Sequence, residues 1–252
     1  NYPFINISAK EKTNIDELKK MIIEYSPKEF EQPSILGDII SPKDHVVLVI
    51  PIDTGMPKGR LILPQVQVMR DLLDNNAVFT ACKVDELAET LARFNEKPKL
   101  VITDSQAFEE VSAIVPEDIM LTSFSILFAK YKGDLLKLVE GVKALKTLKA
   151  GDKVLIAEAC THAPLSEDIG RVKLPRLLRK RIGENLQIDM VAGTDFPQDL
   201  TPYSLVIHCG ACMFNRKYVL SRIERAREQH IPMTNYGVAI AYLNGILNQI
   251  EY

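Results

Sequence analysis

The chain has 252 residues, 46% hydrophobic and 25% charged, enough for one large domain or two ordinary ones with real cores. A formal charge of −2 removes any general attraction to nucleic acid or to an anionic membrane, so neither is an expected partner. No apolar run approaches the roughly 20 residues of a bilayer span, the longest candidates being 46–52 and 236–247.

The opening NYPFINISAK has neither a signal-peptide pattern nor an initiator Met. It reads as the middle of a strand in a longer, cytoplasmic protein. Residues 1–31 then hold Ser8-Ala9-Lys10 and an amphipathic helix from about Asn14 to Tyr25, with Ile15, Leu18, Ile22 and Tyr25 on one stripe. That stripe needs a partner, either a larger domain or the remainder of this chain. Pro27 and Pro33 mark a linker.

Residues 32–131 alternate strand and helix. The strands are HVVLVIPI (45–52), AVFTAC (77–82), LVITD (100–104) and IMLTS (119–123). Helices are expected from about Leu61, from Asp85 to Phe94, and near 105–113. Residues 132–252 repeat the pattern, with a helix over 133–148, strands KVLIAEA (153–159), QIDMVAG (187–193) and YSLVIH (203–208), and helices over 170–182, 213–229 and 236–248. Strand–helix–strand repeats imply parallel sheets. The fold class is therefore α/β, with two consecutive domains of parallel sheet flanked by helices.

Two patches carry the chemistry. Cys160-Thr161-His162 ends one strand and His208-Cys209-Gly210-Ala211-Cys212 ends another. Carboxyl ends of parallel strands are where ligands bind, so the patches can meet. Cys212 is expected at a helix start, where the positive end favours a thiolate, and Gly210 is expected to allow close backbone approach. Three thiols and two imidazoles suit zinc and an iron–sulfur cluster about equally, and the spacing alone leaves both open. A C-x-x-C dithiol would leave Cys160 unexplained, and Cys82 reads as core.

Cys160-x-His162 followed by His208-Cys209-x-x-Cys212 resembles the metal-binding signature of the FeFe-hydrogenase maturation factor HydF family. Ser8-Ala9-Lys10 with its helix is similar to the last guanine-contacting loop and terminal helix of the GTPase domain that this family carries at its N-terminus. The stretch from Pro51 to Arg60 also resembles the family. The resemblance implies a remnant of a GTPase domain at 1–31, a dimerisation domain at 32–131 and an iron–sulfur cluster-binding domain at 132–252. It implies a scaffold and chaperone holding a 4Fe–4S cluster through Cys160, Cys209 and Cys212, working as a homodimer. The scaffold would carry a di-iron precursor to the apo-hydrogenase beside partner maturation enzymes. GTP and Mg belong to the full-length family. This chain has no G-x-x-x-x-G-K-[ST] loop, Gly55-Met56-Pro57-Lys58-Gly59-Arg60 lacking its end, and is expected not to bind or hydrolyse GTP. The reading that stands against a scaffold is a zinc protein, structural or hydrolytic, with three cysteines and one histidine.

A cubane needs a fourth ligand, from His162, His208, Glu167 or solvent. Successive strand residues point oppositely, which sets His208 against Cys209. Glu167, beside Asp168 in the loop after Cys160, would be a hard and displaceable oxygen ligand. Glu167 or solvent is therefore the expected occupant. The basic run Arg171, Lys173, Arg176, Arg179, Lys180 and Arg181 reads as a solvated helix face or a dock for an acidic partner. Met233 to Gly237 is expected to cap the last helix or to supply donors to sulfur.

Overall fold

β1 (His45–Val49) is apolar from Val46 onward because both of its faces are covered there. Val46 and Leu48 pack into one core with Val68, Leu72, Phe124 and Phe128. Val47 and Val49 turn the other way, into a core with Leu87, Phe108 and Val111. The computed structural model describes residues 3–26, 33–52, 59–159 and 169–247. The chain divides into two units, Asn1–Pro33 and Ser34–Tyr252.

In the first unit, Ser8 and Thr13 pair across a turn and α1 (Ile15–Tyr25) follows. None of its residues is buried, and Ile22 and Tyr25 are exposed.

The second unit runs β1, α2 (Leu63–Asp74), β2 (Val78–Cys82), α3 (Leu87–Ala92), β3 (Leu100–Thr103), α4 (Phe108–Ile114), β4 (Met120–Ser123), α5 (Phe124–Lys132) and α6 (Leu135–Gly141). It continues with β5 (Lys153–Ala157), α7 (Leu174–Ile182), β6 (Gln187–Val191), β7 (Leu205–His208), α8 (Arg216–Glu228), β8 (Met233–Asn235) and α9 (Tyr236–Leu243). All pairings are parallel, in two four-stranded sheets ordered β2-β1-β3-β4 and β6-β5-β7-β8. The α/β class with two parallel sheets holds.

Local chemistry explains the element ends. Pro64 sits in the first turn of α2, where its missing N–H costs nothing. Ser123, Asp134, Asn215 and Asn235 each accept a backbone N–H at the start of α5, α6, α8 and α9.

Four elements differ from expectation, the first being the opening, where residues 3–7 form no strand. The expected helix over 133–148 is α6 followed by a 3-10 turn at Val142–Lys146, and α5 precedes it. α5 escapes a periodicity reading because it is apolar nearly all round, buried by both halves. Met233–Asn235 is a strand rather than a helix lead-in, three buried residues being too short a run to show alternation.

α6 rides on the backbone of β8. A Cβ on Gly141 would lie 1.9 Å from the Met233 carbonyl oxygen. Gly141→Ala is therefore expected to cost about 3 kcal/mol, since an inserted methyl must push backbone rather than a side chain. Urea unfolding measures it; a loss within error would show that the helix moves away freely.

Candidate metal centre

In each sheet the first strand has its successors on opposite sides, which opens a crevice at the carboxyl ends of the two central strands. In the second sheet those strands are β5 and β7. Cys209 follows β7 directly, and its N–H donates to the Ala157 carbonyl at 2.9 Å, extending the pairing past the ladder. The Ala159 N–H donates to Cys209 Sγ at 3.0 Å, and the Ala211 N–H to the same sulfur at 3.4 Å. Donors aimed at sulfur favour the thiolate. Cys160 is the next residue after Ala159; together with His162, Glu167 and Asp168 it lies outside the described residues.

Cys212 is half-buried and precedes α8 by four residues, with Asn215 as the cap. It does not open the helix, so the helix end is not what supports its thiolate. Lys132, at the end of α5, grips the loop that carries it. Its Nζ donates to the carbonyls of Ala211, Cys212 and Phe214 at 3.2, 2.7 and 2.9 Å. Burial pulls the Lys132 pKa down, while the charges of Cys212 and Cys209 pull it back up. In return, Arg216 from α8 donates to the Lys130 and Tyr131 carbonyls at 3.1 and 2.6 Å, closing the end of α5. The backbone freedom in the loop belongs to Ala211, at φ 51°, and not to Gly210, where a Cβ would meet nothing within 4 Å. A left-handed alanine is costly and persists because Lys132 and the Phe214 N–H both hold its carbonyl.

His208 points away from Cys209's side, into α8. Arg222 donates to its Nε2 at 2.7 Å. Arginine only donates, so Nε2 accepts and Nδ1 carries the proton given to the Cys209 carbonyl at 2.7 Å. Burial pushes the His208 pKa down to about 4; the bond to Cys209 opposes this, and the Arg222 charge adds to it. Both ring nitrogens are in use, so coordination by His208 would break one of these bonds. Arg222 is itself 2% exposed, donates to the Gly193 carbonyl at 2.5 Å, and lies over the rings of Phe196, Phe214 and Tyr218.

On the other flank, buried Glu158 pairs with Arg171 at 3.3 Å and accepts from Tyr236 at 3.4 Å. Asn235 caps α9 through the Val238 N–H at 2.9 Å, the capping role foreseen for that stretch. Arg176, Lys180 and Arg181 are exposed while Leu174 and Leu178 are buried, so α7 turns these basic side chains outward, whereas Arg171 and Lys173 reach Glu158 and Gln106. Cys82 lies on β2 in the other sheet, and burial pushes its thiol up.

Sequence reasoning missed Lys132, Arg216 and Arg222. Only Arg222 left a trace, standing on the buried stripe Val219, Arg222, Ile223 and Ala226. Among the described residues no group of three or more His, Cys, Asp or Glu side chains could hold a metal. Among the described residues no helix is long and apolar enough to cross a membrane.

Two doubly wound parallel sheets, with a cysteine pair at the second crevice, define an α/β protein whose ligand belongs at strand ends. The hydrogen maturase F dimerization-domain model matches residues 35–133, and the tetramerization-domain model of the same family matches residues 136–250. The chain belongs to the hydrogen maturase F family, and with it to hydrogenase maturation. Its two domains are self-association domains; the sequence pointed to a dimer and not to a tetramerization domain. No curated protein matches the chain.

Proposed function

We propose that the protein is a scaffold that holds a 4Fe–4S cluster through Cys160, Cys209 and Cys212 and hands a di-iron precursor to the apo-hydrogenase, in concert with partner maturation enzymes. One observation carries the reading. The sulfur of Cys209 takes its hydrogen bond from Ala159, the neighbour of Cys160, so both cysteine patches start from one point of the crevice. Soft thiolates with amide donors and a buried ammonium suit an anionic iron–sulfur group. When bound, the cluster supplies an iron open to exchange; the protein's own part is to orient thiolates and keep their carbonyls tied down. The fourth ligand is Glu167 or solvent, because His208 is engaged on both nitrogens. His162 remains the imidazole alternative. Iron and sulfide assays with an anaerobic absorption spectrum test this. Four irons and four sulfides per chain are expected for a 4Fe–4S cluster; zinc without iron would overturn the proposal.

The domain assignment belongs to the same proposal, with residues 32–131 dimerising, 132–252 holding the cluster and 1–31 ending a GTPase domain. GTP and Mg chemistry would reside in that GTPase part, and the setting is cytoplasmic. The dimer forms through β2. It is an edge strand, and Val78 and Ala81 on it are exposed, as are Val66 and Leu73 of α2. An unpaired apolar edge is a template for a second copy, related by a two-fold axis. Val78→Lys is expected to reduce the assembly mass by light scattering. Unchanged mass at micromolar concentration would move the interface elsewhere.

A further inference from the structure

Lys132 is, with Arg222 and Glu158, one of the buried charged residues among the described residues, and it faces the cysteine loop. Its side chain is 8% exposed, and its three N–H donors all end on neutral carbonyls of one loop. Among the described residues no carboxylate pairs with it. Burying an ammonium costs on the order of several kcal/mol, and carbonyl dipoles return only part of that. The end of its own helix offers little, since Arg216 already covers the Lys130 and Tyr131 carbonyls. Arg222, on the far side of the loop, is a second buried cation, with His208, a carbonyl, a phenol and three rings as its surroundings. Two buried cations therefore flank residues 208–214. The groups between them able to carry negative charge are the sulfurs of Cys209 and Cys212.

We infer that Lys132 is a positioning residue for the metal centre. From the dimerization half it holds the Cys209–Cys212 loop in ligating shape, and it balances the negative charge of the thiolate-bound group. This rests on the cluster reading proposed for the crevice. Three bonds to consecutive parts of one loop fix its path, and Arg216 returns the grip, so α5 and the loop move together. A positive charge this close also stabilises the more reduced, more negative form of a bound cluster.

The test uses the full chain, reconstituted anaerobically with iron and sulfide, and compares the parent with Lys132→Met and Lys132→Arg. The readouts are the one-electron midpoint potential and the rate of iron loss to a chelator. Lys132→Met is expected to shift the potential negative and to lose iron about tenfold faster, equivalent to about 1.4 kcal/mol. Lys132→Arg keeps the charge and is expected to restore the potential while losing iron faster than the parent, because its planar fork cannot meet three carbonyls alike. Should Lys132→Met not fold, Lys132→Gln carries the same test. Parental potential and iron loss in the neutral variants would overturn the inference and leave the cluster reading standing. A parent that takes up no iron would sink both.

Discussion

Cys209→Ala is expected to leave the reconstituted protein without its visible absorption band and with iron at background. The same result is expected for Cys212→Ala and Cys160→Ala, because a cubane held by three thiolates does not survive on two. The Cys209 variant has a further consequence. Its sulfur accepts the Ala159 and Ala211 N–H groups, so its loss strips the crevice of the acceptor that ties the β5 end to the loop. Cys209→Ser keeps a small acceptor there and should preserve the fold while still failing to hold iron. Cys82→Ala is the control: Cys82 lies at the end of β2, in the other sheet, and the cluster should persist. Iron retained in all three crevice variants would show that the cluster, if any, sits elsewhere.

Arg222→Ala is expected to be the most destabilising single change near the site, by about 3–5 kcal/mol. It opens a hole among Phe196, Phe214 and Tyr218, and it orphans both His208 Nε2 and the Gly193 carbonyl. Part of the loss is offset because a guanidinium without a carboxylate no longer has to be desolvated. Arg222→Met refills most of the volume and should cost roughly half as much, a difference that separates packing from polar satisfaction. The damage should also reach the cysteines, since His208 donates to the Cys209 carbonyl. Urea unfolding of the two variants decides the matter. A cost below about 1 kcal/mol for Ala would mean that the three rings close over the gap.

The placement of Cys209 directly after a buried parallel strand was legible in the sequence, because a run such as LVIH followed by H-C-x-x-C is carried by residue type and spacing. The parallel sheets were legible for a similar reason. A strand such as β1, whose Val46–Val49 stretch is covered on both faces, reads as a continuous apolar run, and that mark needs no knowledge of its neighbours. Val154 to Ala157 and Leu205 to Ile207 carry the same mark, and both form strands. The alternation that turned His208 away from Cys209 came from strand geometry alone.

What only the tertiary structure decided is who supports the site. Lys132 is 77 residues from Cys209 in sequence, and nothing in FSILFAKYK distinguishes it from Lys130, which reaches outward to Asp38. The packing of α5 between the two halves sends one lysine to the surface and the other into the cysteine loop. Ala211, rather than the neighbouring glycine, adopts the left-handed conformation because its carbonyl is held from outside. Local propensity favours Gly210 for that role, and long-range hydrogen bonds override it. The sequence determined where the thiols and imidazoles fall along the chain and that Cys209 follows the end of a strand. Contacts between residues far apart in the chain determined their charge balance and their shape, since burial and hydrogen-bond geometry exist only once the two sheets have packed around α5.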